Sequence, residues 1–243
     1  SAHAESLDHI KASLNAWSID TSNDNTMAIV GEKGIGKTTL VEELVKDLDT
    51  KGIFSFYTKI PDKLTNREQV EKFFANQIQS VEAISDDSRK SIVFIDGAHD
   101  LFLAKIGGFA GYKTFIELME NSSLSIYWVL TFDKRAWNYL SCATDRTRYF
   151  ADVVNLSPWK ENEIRELILG RNKLSGFELS FDKILNAAKV DDDFEGLSYV
   201  ENRFFTLLWE EAEGNPRVAM KLWPTCVEKM NSKALRVGLP KSR

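Results

Sequence analysis

A chain of 243 residues, 43% of them apolar, is long enough to bury a large core, and its length predicts one or two domains, one large and one small. Its net charge of -5 and pI near 5.4 leave no clustered-cation footprint, so direct nucleic-acid binding by this segment is not expected. No apolar run approaches the roughly 20 residues of a membrane span, and Cys142 and Cys226 lack metal-like spacing, which predicts a reducing, cytoplasmic setting.

The opening Ser1-Ala2-His3-Ala4 and the basic end Leu239-Pro240-Lys241-Ser242-Arg243 read as cut points, so flanking domains of a larger protein are expected. A helix pattern over His9 to Trp17 and a polar loop over Asp20 to Thr26 lead into a first strand, Met27 to Val30. That strand feeds Gly31-Glu32-Lys33-Gly34-Ile35-Gly36-Lys37-Thr38-Thr39, a P-loop pattern. Glycines let the backbone curl so that successive N–H groups point inward at phosphate oxygens. The following helix N-terminus adds its positive end, Lys37 neutralises charge, and the Thr38 hydroxyl suits Mg2+. The helix carries Leu40, Val41, Leu44, Val45 and Leu48 on one face, the stripe that packs on a sheet.

Further strands are predicted at Ile53 to Thr58, Ile92 to Ile95, Ile126 to Thr131 and Val153 to Leu156, with helical stretches near 38–50, 67–84, 112–121 and 134–142 between them. Five short apolar strands separated by helices predict an α/β fold: a three-layer P-loop NTPase sandwich with a five-stranded parallel sheet. After Ser157-Pro158-Trp159 the pattern is helical, over Glu161 to Arg171, Asp182 to Lys189, Val200 to Ala212 and Pro216 to Met230. The predicted division is a nucleotide-binding domain over 1–156, a small helical lid over 157–232, and a basic tail or linker over 233–243. Pro224 is expected to kink the last helix.

Ser91-Ile92-Val93-Phe94-Ile95-Asp96 is a buried-strand run ending in a carboxylate, the place of a Walker B aspartate that holds Mg2+. Together with Gly31 to Thr39, the continuation to Asp100, the strand ending Val129-Leu130-Thr131-Phe132-Asp133 and the tetrapeptide Gly214-Asn215-Pro216-Arg217, this run resembles the AAA+ and STAND branch of P-loop ATPases, in particular Orc/Cdc6-like or ExeA-like members. The resemblance spans about residues 9–230.

In that family a glutamate follows the Walker B aspartate and polarises the attacking water, whereas here the position is Gly97. Slow hydrolysis with retained binding is therefore expected, unless Asp100 or Asp133 substitutes. Either residue could instead cap a turn or helix. His99 reads first as a surface or packed imidazole.

The resemblance further implies that Arg217 is a lid arginine reaching the γ-phosphate and that Pro216 packs near the adenine. The competing reading pairs Arg217 with Glu211 or Glu213. It also implies that Arg146 or Arg148 could complete a neighbour's site in a homo-oligomer, against a reading as two solvated arginines. ATP and Mg2+ are the implied ligands. The expected function is a nucleotide-dependent conformational switch with slow hydrolysis; the alternatives are an inactive nucleotide-binding scaffold or a DNA-associated Orc-like ATPase.

Overall fold

β-branched and aromatic residues dominate five short runs of the chain, and each becomes a strand of one sheet: β1 Thr26–Gly31, β2 Phe54–Lys59, β3 Ser91–Asp96, β4 Ile126–Asp133 and β5 Asp152–Asn155. The computed structural model describes residues 3–19, 24–51, 53–61, 63–84, 90–122, 124–143, 148–188, 194–229, 231 and 233–240. The strands are all parallel, in the order β2-β3-β4-β1-β5. β4 therefore lies between the P-loop strand and the Walker B strand, and the carboxyl ends of all three meet at one edge. In open α/β sheets, that edge is where ligands bind.

Burial explains why the strands read as unbroken apolar runs: every residue of β3 is buried, as are all but the first of β1 and all but the last of β4. Neighbouring side chains on β4 show the layering directly. Tyr127 meets Trp17 of α1 (Ala4–Ser18) edge-on at 5.3 Å, while Trp128 meets Phe115 of α4 (Ala110–Glu120) edge-on at 5.8 Å. Successive strand residues point to opposite faces, so α1 covers one face and α4 the other. Phe74 of α3 (Arg67–Ile84) packs on Phe115 at 4.8 Å and joins the α4 side. Each such ring pair contributes roughly 0.5–1.5 kcal/mol beyond its buried area. The remaining helices of this unit are α2 (Lys37–Thr50) and α5 (Lys134–Ala143).

The chain divides between Leu156 and Ser157 into two units. The second unit contains α6 (Glu161–Ser175), α7 (Asp182–Ala188), α8 (Phe194–Ala212) and α9 (Pro216–Cys226). Its core gathers Ile164, Ile168, Phe204, Phe205, Leu208 and Trp223, three of them from α8.

The second unit also holds a small sheet that the sequence pattern did not predict: β6 (Glu178–Ser180), β8 (Ala234–Val237) and β7 (Val227–Lys229), in that order. The predicted tail over 233–243 is corrected by β8, which pairs with β6 in parallel and with β7 in antiparallel. Arg236 ties that strand to α7 through Asp182, 3.0 Å from Nη2 to Oδ2. The last helix ends at Cys226 rather than Met230. Pro224 stands in its final turn, and the chain leaves the helix two residues later.

Candidate nucleotide site

At the carboxyl end of β1 the backbone turns through Gly34 and Gly36, with φ of 89° and 115°. These are left-handed angles that only glycine adopts freely, and they let the loop close over six residues before α2 begins at Lys37. The first α-helical bond of α2 is Leu40 N–H to the Gly36 carbonyl at 2.9 Å. The amides of Gly36, Lys37, Thr38 and Thr39 therefore have no acceptor within the helix, which is the condition for gripping an anion. Ile35 is buried, and its carbonyl accepts a bond from His3 Nε2 at 3.1 Å. His3 thus braces the P-loop from the N-terminal cap of α1, a contact that the reading of His3 as part of a cut end did not suggest.

Lys37 folds back over the loop, donating from Nζ to the Gly31 and Glu32 carbonyls at 2.7 and 2.9 Å. Burial holds its ammonium below the ordinary lysine range, while Asp133, Asp96 and Glu32 pull in the opposite direction. Of the other loop residues, Lys33 and Thr39 are exposed, and Glu32 lies 3.9 Å from Lys134 Nζ.

Thr38 Oγ1 donates to Asp96 Oδ2 at 2.8 Å, so the first turn of α2 and the end of β3 face one another. Thr131 of β4 donates to the other carboxylate oxygen at 2.5 Å and accepts the Gly97 N–H at 2.9 Å. Tyr57 of β2 adds a longer bond, 3.4 Å from its hydroxyl to Asp96 Oδ2. Burial first, and Asp96 second, push the Tyr57 phenol up to about 12, so it remains a donor. Sequence reasoning missed Tyr57 because a single tyrosine in a strand reads as core. The signal was its position near the carboxyl end of a strand that pairs with the Walker B strand.

Mg2+ fits this arrangement. A hydroxyl and a carboxylate, both hard oxygen donors, converge, and among the described residues there is no cluster of three or more His, Cys, Asp or Glu that would suit another metal. Thr38 and Asp96 are the residues that would hold it, with water and phosphate oxygens as its other ligands.

Asp133 ends β4 beside Gly31 in the strand register, and its Oδ1 accepts the Arg135 N–H at 3.0 Å, a cap on α5. Asp100 lies in a single 3-10 turn, Ala98–Leu101, directly after Gly97. Lys37, Thr38, Asp96, Asp100 and Asp133 thus all belong to the strand-end edge of the first unit.

Pro216 and Arg217 belong to the second unit, at the start of α9. Pro216 is buried at the first helical position, and Asn215 Oδ1 caps the helix by accepting the Arg217 and Val218 N–H groups. Arg217 is exposed and forms no ion pair among the described residues, so the alternative pairing with Glu211 or Glu213 is not made. Arg148 is exposed in the turn before Phe150, and Arg146 lies outside the described residues. Among the described residues no helix is long and apolar enough to cross a membrane.

Residues 27–135 match the model of the ATPase family associated with various cellular activities (AAA). No curated protein matches the chain. Among solved structures, Aeropyrum pernix Orc1 in complex with DNA is similar in fold, with a TM-score of 0.59 at 10% identity. The match covers 92% of this chain and 59% of that one, so the chain spans under two thirds of Orc1. A mutant of Thermotoga maritima RuvB aligns with a TM-score of 0.46 at 15% identity, over 93% of this chain and 68% of that one. The P-loop, the Walker B strand and β4 all fall inside the matched residues 27–135, over which the α/β unit of this chain is similar to the AAA family of ATPases.

Proposed function

We propose that the chain binds ATP with Mg2+ and works as a conformational switch of the STAND type, hydrolysing slowly. The observation that supports this most is the convergence of Lys37, Thr38 and Asp96 at the sheet edge, followed by a glycine where the family's water-polarising glutamate would stand. Binding machinery is retained while one hydrolytic group has left its usual place. In this reading the loop amides and Lys37 hold the β- and γ-phosphates, and Thr38 and Asp96 hold the metal. Bound Mg2+ would supply neutralisation of charge developing on the phosphate oxygens.

Arg217 reports the γ-phosphate from the lid, since a guanidinium forks onto phosphate oxygens and this one has no competing carboxylate among the described residues. Pro216 lies against the adenine, and Asp133 stands at the position that senses the γ-phosphate from β4. ATP thereby biases the lid toward one of its states, and hydrolysis releases it. Domains beyond this segment carry the output, and Arg146 or Arg148 completes a neighbour's site in an assembled form. The setting is cytoplasmic.

A second reading, a nucleotide-binding scaffold without turnover, draws on Gly97 alone. The Orc1 structure in the comparison holds DNA. The net charge of -5 here argues against this segment gripping a phosphate backbone by itself. Calorimetric titration with ATP, ADP and GTP in Mg2+, with turnover measured on the same sample, separates the readings. The switch predicts tight ATP binding with slow turnover and the scaffold predicts binding with none; failure to bind ends both.

A further inference from the structure

The glycine after Asp96 is more than a deleted side chain. Gly97 has φ of 86°, a left-handed angle at which an L-residue is strained by roughly 1–2 kcal/mol. Its carbonyl accepts the Asp100 N–H at 2.9 Å, closing the 3-10 turn, and its N–H is fixed by Thr131. The Asp100 carbonyl in turn accepts the Leu64 N–H at 2.9 Å, and Leu101 is fully buried, so the turn is held on both sides.

This turn brings two polar side chains to the place a glutamate would have started from. A Cβ built at position 97 would stand 3.8 Å from Asp100 Oδ2 and 3.9 Å from His99 Cε1. The other acids at this edge are engaged. Asp96 accepts bonds from Thr38, Thr131 and Tyr57, Asp133 caps α5, and Glu32 faces Lys134. The Asp100 carboxylate has no hydrogen-bond or ion-pair partner among the described residues, and the buried Nδ1 of His99 has none either.

We infer that Asp100, presented by the left-handed turn at Gly97 and flanked by His99, orients and deprotonates the attacking water in place of the glutamate absent from position 97. The inference rests on the ATP-hydrolysing reading above. In the step, the water oxygen forms a bond to the γ-phosphorus and the bond from that phosphorus to the β,γ-bridging oxygen breaks. ADP leaves with the bonding electron pair, and the water's proton passes to the Asp100 carboxylate and then to solvent. A half-buried carboxylate on a three-residue detour positions water less closely than one adjacent to the metal ligand, which accounts for slow rather than absent turnover.

The test is ATP turnover and calorimetric ATP affinity, measured in Mg2+ on the parent chain, Asp100→Asn, Asp100→Glu, His99→Gln and Lys37→Ala. Asp100→Asn removes no partner and is expected to fold; Asp100→Ser is the second variant if it does not. The expected result is a fall in kcat of about tenfold or more for Asp100→Asn, with ATP affinity within about threefold of the parent. Asp100→Glu should recover part of the rate, and His99→Gln should cost less than Asp100→Asn.

Parental turnover in Asp100→Asn, alongside a dead Lys37→Ala, overturns the role of Asp100 and leaves the ATPase reading standing. A larger loss in His99→Gln than in Asp100→Asn likewise overturns it. A parent chain that binds ATP without turning it over overturns both.

Discussion

Thr38 Oγ1 and Asp96 Oδ2 are 2.8 Å apart although 58 residues separate them in sequence, and this bond joins the P-loop helix to the Walker B strand. It is possible because β4 inserts between β1 and β3 and sets the height of both strand ends through its register with each. The pair brings a protein hydroxyl and a carboxylate together, the hard oxygen donors that Mg2+ takes.

Asp96→Asn keeps the shape of that carboxylate and one of its two acceptor oxygens but removes its charge. Turnover in Mg2+ should fall by roughly a hundredfold, while ATP binding measured with a chelator present should change by no more than a few-fold. Equal losses in both measurements would mean that Asp96 supports the loop rather than the metal.

Gly97→Ala places a Cβ on a backbone held at φ of 86°. The contacts it would meet are ordinary, so the cost is conformational, about 1–2 kcal/mol of stability. Urea unfolding of the two proteins measures it. An unchanged midpoint would show that the left-handed turn is not required.

Lys37 gives ATP binding an alkaline limit. Burial lowers its pKa in the free protein, and a bound polyphosphate raises it again, so binding takes up protons on the alkaline side. Affinity for ATP without Mg2+ should fall as pH rises through the lowered value, beginning below the limit set by an exposed lysine. Tyr57, pushed up to about 12, stays protonated across that range. The sign for stability is opposite: a lysine disfavoured as a cation in the fold makes the unliganded protein more stable as pH rises through its folded pKa. Calorimetry across the alkaline range in two buffers of different ionisation enthalpy reads the proton uptake, and Lys37→Arg should abolish it.

Arg217→Ala tests the lid. If Arg217 reads the γ-phosphate, ATP affinity should fall by about tenfold with ADP affinity nearly unchanged, the loss of a charge-assisted contact. A parallel loss for both nucleotides would assign Arg217 to general charge balance.

The strand runs were legible because parallel strands buried on both faces leave an unbroken apolar signature, as Ile92-Val93-Phe94-Ile95 does within β3. The P-loop was legible because its chemistry needs glycines at fixed steps. The small sheet of the second unit was not: Glu178–Ser180 and Val227–Lys229 have three residues each, too few for a two-residue period to separate from a helix end. Val227 follows α9 without a break, so helix periodicity ran on into a strand that exists only because β8 returns to pair with it. In the site, Lys37, Thr38 and Asp96 could be named from motif spacing. Tyr57 and His3 could not, since their places depend on strand pairing and on where α1 packs.

The most direct measurement is calorimetric titration of ATP into the parent chain and into Lys37→Ala under the same Mg2+ conditions. The account predicts saturable binding by the parent and at least about a hundredfold weaker binding, or none, by the variant, since the Lys37 ammonium is a formal positive charge held against the loop carbonyls. Equal affinity in the two proteins would contradict it and place the nucleotide elsewhere.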